Sequence, residues 1–391
     1  MEKKSTRLYF IDAIRAWAIL MMLQGHFVDG LLDTAFRDTS NSGYLLWKYF
    51  RGITAPVFFT VSGFIFTYLL IKVPQKGFEN PRVKKGLKRG LELLFIGYLL
   101  RLNLGGLLQG KLYDTFFLVD VLHCIGLSLL VIIGMYLITY TRKAFLFPLA
   151  LVSLTLLLFT FEPAYAATTF SAIPDAFANY LTRANGSVFT IIPWLGYTTF
   201  GAFVSLLFNK YKEREQLYSW AIPIAAVFGL SLIFLSSDFF VVLSELTGIP
   251  LFLSISLNNY LFIRLGDVCI AFAIFMLIRK WLTNRTFLKI GQSTLSIYVI
   301  HFIILYGSFT GLGLYRFFHH SLSPAVTISG AIAFMVVCSF TALLYERHKL
   351  VIKENIRNSL HLTWTTAEPF LRNVISKTKV LLLKLFGFVK N

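Results

Sequence analysis

Charge is what this chain has least of. Only 14% of its 391 residues are charged, against roughly a quarter in an average soluble protein. Together with a mean hydropathy of +0.69, that shortage excludes a water-soluble domain. Cysteine is also scarce: Cys124, Cys269 and Cys338 all fall in apolar segments and form neither a CxxC nor a Cys/His metal spacing. A disulfide framework and a zinc site are therefore not expected, and buried free thiols are. No GxSxG, Walker-type loop, HExxH or heptad pattern occurs, which weighs against hydrolase, ATPase and metalloprotease readings. Internal repeats and low-complexity linkers are missing as well, so one membrane domain is expected.

What charge there is runs one way. The net charge of +18 could suggest nucleic acid, but the basic residues sit between apolar spans and not on a domain of their own. The better reading is an all-α, polytopic integral membrane protein with positive cytoplasmic loops and affinity for anionic headgroups, and no nucleic-acid partner. About twenty apolar residues cross a bilayer. Ten such spans can be read, at 9–31, 47–71, 90–107, 116–139, 144–161, 188–208, 219–236, 258–278, 291–313 and 324–345.

Alternate connections hold Lys72, Lys76, Arg82, Lys84, Lys85, Lys88 and Arg89, then Arg142 and Lys143, then Lys210, Lys212 and Arg214, then Arg279, Lys280, Arg285 and Lys289. The opposite loops hold only Arg37, Lys48, Arg51, Lys111, Arg183 and Arg316. An even number of spans and this bias put both termini in the cytoplasm. Met1-Glu2-Lys3-Lys4 leads into a span that is long and interrupted by charge, so no cleavable signal is expected. The spans form a domain over residues 1–346. Residues 347–391 read as a basic amphipathic tail on the inner membrane surface. The loop 236–256 is expected to lie in the interface or to re-enter.

Ionisable groups inside spans are expensive and usually mark a functional interior. The first span carries Asp12, Arg15 and His26. Arg15 and His26 are about three turns apart on one face, about 16.5 Å along a helix rising ~1.5 Å per residue. The second carries Arg51, Ala55, Phe58 and Ser62 at helical spacing. Asp120 and His123, Arg264 and Asp267, and Tyr298 and His301 are each three apart, so each pair can meet on one helix face. The plainer readings are neutralising pairs that hold helices in register, and histidines that serve packing.

These residues reach a family. Ile11-Asp12, Arg15, ten intervening residues and His26 resemble the N-terminal motif of the transmembrane acyltransferases, which include the acyltransferase-3 proteins and the heparan-α-glucosaminide N-acetyltransferase-like proteins. Thr54-Ala55-Pro56-Val57-Phe58-Phe59-Thr60-Val61-Ser62-Gly63 resembles the second helix of the latter branch. Asp120-Val121-Leu122-His123-Cys124-Ile125-Gly126-Leu127-Ser128-Leu129, Pro193-Trp194-Leu195-Gly196-Tyr197 and Gly291-Gln292-Ser293-Thr294-Leu295-Ser296-Ile297-Tyr298-Val299-Ile300-His301 resemble later elements of it. The heparan-α-glucosaminide branch looks the closer one, and the likeness covers about residues 7–305. Ala16 departs from the family, which usually has Gly after the arginine.

The resemblance implies transfer of an acyl group, usually acetyl, from cytosolic acyl-CoA to an acceptor on the far side, commonly a glycan or glycolipid. Acetyl-CoA would be the donor, with no metal. Lys84, Lys85, Lys88 and Arg89 would meet the CoA phosphates and Arg15 the pantetheine or a phosphate. His26 would act as general base or take the acyl group itself, oriented by Asp29. Arg51, Asp120, His123, Arg264, Asp267, Tyr298 and His301 are the candidates for substrate contact. A homodimer is among the expected states, since these families include dimers. Short loops and few cysteines fit a bacterial cytoplasmic membrane. The rival reading is a transporter or flippase for a small anion or lipid-linked sugar, which would also explain buried charge.

Overall fold

The computed structural model describes residues 8–385, and their regular structure is helical. The longer helices are α1 (Tyr9–Leu31), α2 (Ser42–Ile71), α3 (Pro81–Arg101), α4 (Val121–Thr139), α5 (Leu146–Thr160) and α6 (Ile191–Tyr211). They continue with α7 (Leu217–Thr247), α8 (Pro250–Leu257), α9 (Tyr260–Leu277), α10 (Arg285–Gln292), α11 (Thr294–Tyr306) and α12 (Pro324–Leu385). The chain divides into two compact units at Ser339/Phe340, within α12. In the second unit Lys349 pairs with Glu346 at 3.1 Å. The tail expected on the membrane surface falls partly outside the described residues, beyond 385.

Six helices are long and apolar enough to cross a bilayer among the described residues: α2, residues 114–139, α6, α7, residues 260–280 and residues 324–359. The chain is therefore a multi-pass membrane protein. The other four expected spans fall on elements of mixed character. The first, α1, carries Asp12, Arg15, His26 and Asp29, α3 is basic in its first half, and α5 has only 15 residues. The α10–α11 pair is bent by 73°.

Several expected ends move, each for a local reason. The span read to 236 runs on to Thr247, because Ser236 is absorbed by hydrogen bonds to Leu232 O and from Asn259 Nδ2. It stops at Gly248, whose φ of 67° takes the left-handed turn that ends helices. The segment expected to re-enter is thus the end of α7 followed by α8. The span read as 90–107 starts at Pro81, capped by the Asn80 side chain, and breaks after Arg101. Asp120, read inside a span, instead caps α4.

The centre of the first unit is α2, 67% of whose apolar window is buried, against 17% for α7. It packs along α6, with α7 on α9, α3 on α4, and α1 between α2 and α10. The α2–α6 contact is set by two glycines in reciprocal positions. A Cβ on Gly63 would run into the Thr198 carbonyl, and one on Gly201 into the Thr60 carbonyl. In hydrocarbon, where apolar burial gives little drive between helices, such backbone approach supplies the packing.

At one end of this unit the connections lace together. Phe309 N–H donates to Leu102 O and Leu104 N–H to Phe309 O, while His320 N–H reaches Gly30 O and Leu322 N–H reaches Leu31 O. Val119 N–H donates to Ser187 Oγ at 3.0 Å, and Asn179 Nδ2 to Phe117 O at 3.0 Å. These bonds hold the loops that follow α1, α3 and α11 as one rim.

Replacing Gly201 by Val should therefore cost upwards of about 3 kcal/mol, the upper range for overpacking, because the clash is with backbone. Gly134, which has open space beside it, should accept Ala with no loss or a gain of up to about 1 kcal/mol. Thermal unfolding of both variants in detergent checks the contrast.

Candidate active site

The second half of α1 faces a cavity of about 670 Å³. Residues 21–30 of α1 and 51–59 of α2 form two walls. The end of α3, the Tyr298–Phe302–Tyr306 side of α11 and the laced loops supply the rest. Aromatic rings make up much of the lining.

His26 is partly exposed at this cavity. Its Nδ1 lies 2.8 Å from the Tyr306 hydroxyl. When Nδ1–H donates to the phenol oxygen, Nε2 is left with a free lone pair; the opposite tautomer reverses this. Among the described residues Nε2 makes no hydrogen bond. The ring of His301 lies 5.3 Å from that of His26, fully buried and not itself part of the cavity wall. Tyr298 stands over His301 at 4.8 Å, edge to face.

Asp29 does not orient the imidazole. Its carboxylate forms an ion pair with Arg51 across α1 and α2, and its backbone oxygen accepts from Arg37 and from His320 at 3.2 Å. The orienting contact is Tyr306. Asp120 is gripped by Arg101 through two parallel bonds, Nε to Oδ2 at 2.6 Å and an Nη to Oδ1 at 2.7 Å. This fork ties the end of α3 to the cap of α4, and both residues line the cavity.

The remaining candidates lie elsewhere. His123 is fully buried; its Nδ1 accepts the Asp120 N–H at 3.1 Å, and its ring packs on Tyr98 at 4.3 Å. That is a capping role. Arg264 and Asp267 pair at 2.9 Å, the Tyr49 hydroxyl donates to Asp267 at 2.7 Å, and the Arg264 guanidinium stacks on the Tyr49 ring at 4.5 Å. This closed cluster fastens α2 to α9 outside the cavity wall.

Arg15 also lies away from the cavity, donating to Thr294 Oγ1 at 2.9 Å. Lys84, Lys85, Lys88 and Arg89 are exposed on the first half of α3, with Lys88 and Arg89 near Glu92 at 3.9 and 3.8 Å. They are at least about 18 Å along the helix from Arg101, at ~1.5 Å per residue. The geometry thus gathers His26, Asp29, Arg51, Asp120 and Tyr298 at one cavity, and leaves the basic cluster and Arg15 off it.

Among the lining residues that the sequence did not single out as candidates are Arg101, Tyr306 and Lys111. Arg101 is a basic residue inside an apolar run and so carried a signal. Tyr306 carried none, because its partner His26 is 280 positions away.

A comparison with curated proteins found no match. The acyltransferase-3 family model, an acyltransferase domain, matches residues 8–344. Nothing in that match favours the heparan-α-glucosaminide branch over acyltransferase-3. The matched stretch holds the whole cavity and its histidine, and the chain belongs to the acyltransferase-3 family of membrane acyltransferases.

Proposed function

We propose that the protein moves an acyl group, acetyl in the simplest case, from cytosolic acyl-CoA to a hydroxyl or amine of an extracytoplasmic glycan or glycolipid, with His26 as general base. The observation that carries this reading is His26 itself: it is partly exposed at a cavity, with Nδ1 engaged by Tyr306 and Nε2 free. In this reading ten passes through a bacterial cytoplasmic membrane leave both termini in the cytoplasm, residues 1–346 form the transfer domain, and residues 347–391 lie on the inner surface. Two copies pairing as a homodimer are compatible with it.

The chemistry then follows in balanced steps. Nδ1–H donates to the Tyr306 oxygen, which leaves the Nε2 lone pair facing the acceptor. Nε2 removes the proton as the acceptor oxygen or nitrogen attacks the thioester carbonyl. The carbon–sulfur bond breaks, and the departing thiolate recovers the proton from the imidazolium. Arg51, tethered by Asp29 and lining the same cavity, would stabilise the developing oxyanion. Lys84, Lys85, Lys88, Arg89 and Arg15, on the side assigned to the cytoplasm, would hold the anionic end of the donor.

His26→Ala should lower transfer by about 10²–10⁴-fold, the usual worth of a general base, while acetyl-CoA still raises the thermal stability of the purified protein. Undiminished turnover of thioester by that variant would sink the assignment. Tyr306→Phe should cost roughly tenfold in kcat, the equivalent of one hydrogen bond of about 1.4 kcal/mol. Asp29→Asn should lower kcat more than it raises KM, because it loosens the Arg51 guanidinium that would meet the developing oxyanion. Acetyl-CoA consumption in proteoliposomes, with a host glycan fraction as acceptor, measures all three.

A further inference from the structure

Three cations line the cavity: Arg51, Arg101 and Lys111. Two are already committed, Arg51 to Asp29 and Arg101 to Asp120. Lys111 has no acidic partner among the described residues. Three positive groups against two carboxylates leave the wall with one uncompensated positive charge, and it resides on Lys111. The two arginines also neutralise the carboxylates that would otherwise repel an incoming anion.

Lys111 is held where it is by backbone geometry. The short helix Leu104–Leu108 ends in a left-handed Gly110 with φ 71°. Gly110 N–H donates to Leu107 O and Lys111 N–H to Gly106 O, both at 2.9 Å. That is the double closure of a Schellman motif. Tyr113 packs so closely on Gly106 that a Cβ there would clash with its ring. The lysine therefore projects from a braced turn beside Tyr113, with Phe116 and Trp194 also on the cavity wall. Flat aromatic faces suit the C–H face of a sugar ring, and an ammonium beside them suits an anion.

We propose that the acceptor taken by this cavity is a saccharide bearing an anionic group, a phosphate or a carboxylate, which pairs with Lys111. The proposal rests on the acyl-transfer reading, since it names the acceptor class for that site. Lys111→Gln removes the charge and nothing that packs; Lys111→Arg retains the charge.

Full-length protein in detergent at low ionic strength would be titrated calorimetrically with glucose, glucose 1-phosphate and glucuronate. At least one charged sugar should bind tenfold or more tightly than glucose, and which one does separates phosphate from carboxylate. In Lys111→Gln the preference should shrink below threefold, and in Lys111→Arg it should persist. Equal binding of all three sugars, binding of none, or a preference that survives in Lys111→Gln overturns the proposal. Thioester consumption is scored separately. Protein that consumes acetyl-CoA but shows no charge preference loses the Lys111 subsite alone. Protein that shows the preference but never consumes thioester loses the transfer reading instead.

Discussion

The structure depends on how an arginine is kept in a low-dielectric layer. A charge taken out of water costs several kcal/mol unless it is paired. Arg101 and Arg264 are largely buried, Arg51 is open to the cavity, and all three hold a carboxylate. Arg51 takes Asp29, Arg101 takes Asp120, and Arg264 takes Asp267. Each pair then does a mechanical job. The first ties α1 to α2, the second ties α3 to the cap of α4, and the third, through Tyr49, ties α2 to α9. The first two pairs join elements that line the cavity, and the third lies outside its wall.

The same rule explains which polar contacts were legible in the sequence. Spacing of three on a helix brought Arg264 to Asp267 and Tyr298 to His301, as the pattern implied. Asp120 and His123 also met, but through a helix cap. The contacts that define the site were not legible, because they join residues far apart in the chain: His26 with Tyr306, and Arg101 with Asp120. Arg101 could have been found by asking why a basic residue interrupts the run from Leu91 to Leu108. Reading that run as one span concealed that Asn103 starts a new short helix.

The all-helical, multi-pass class followed directly from composition, since a chain so poor in charge has few other ways to satisfy its backbone. Element ends were harder. Ser236 and Ser237 look like a break, yet Asn259 satisfies both side chains and the helix continues. A polar residue ends a span only when no neighbouring helix supplies its partner, and that neighbour is a tertiary fact.

The spacing of Arg15 and His26 gains a meaning from where each one lies. His26 opens on the cavity, whereas Arg15 is turned toward Thr294 at the start of α11. One helix thus presents its cation to the α10–α11 corner and its imidazole to a chamber lined by paired charges and aromatic rings. A pump or flippase needs its central site to face both sides in turn. A transferase needs only that two reactants reach one fixed base from opposite directions. An imidazole steadied by a hydroxyl and flanked by a tethered guanidinium suits fixed-base chemistry, because its value lies in not moving.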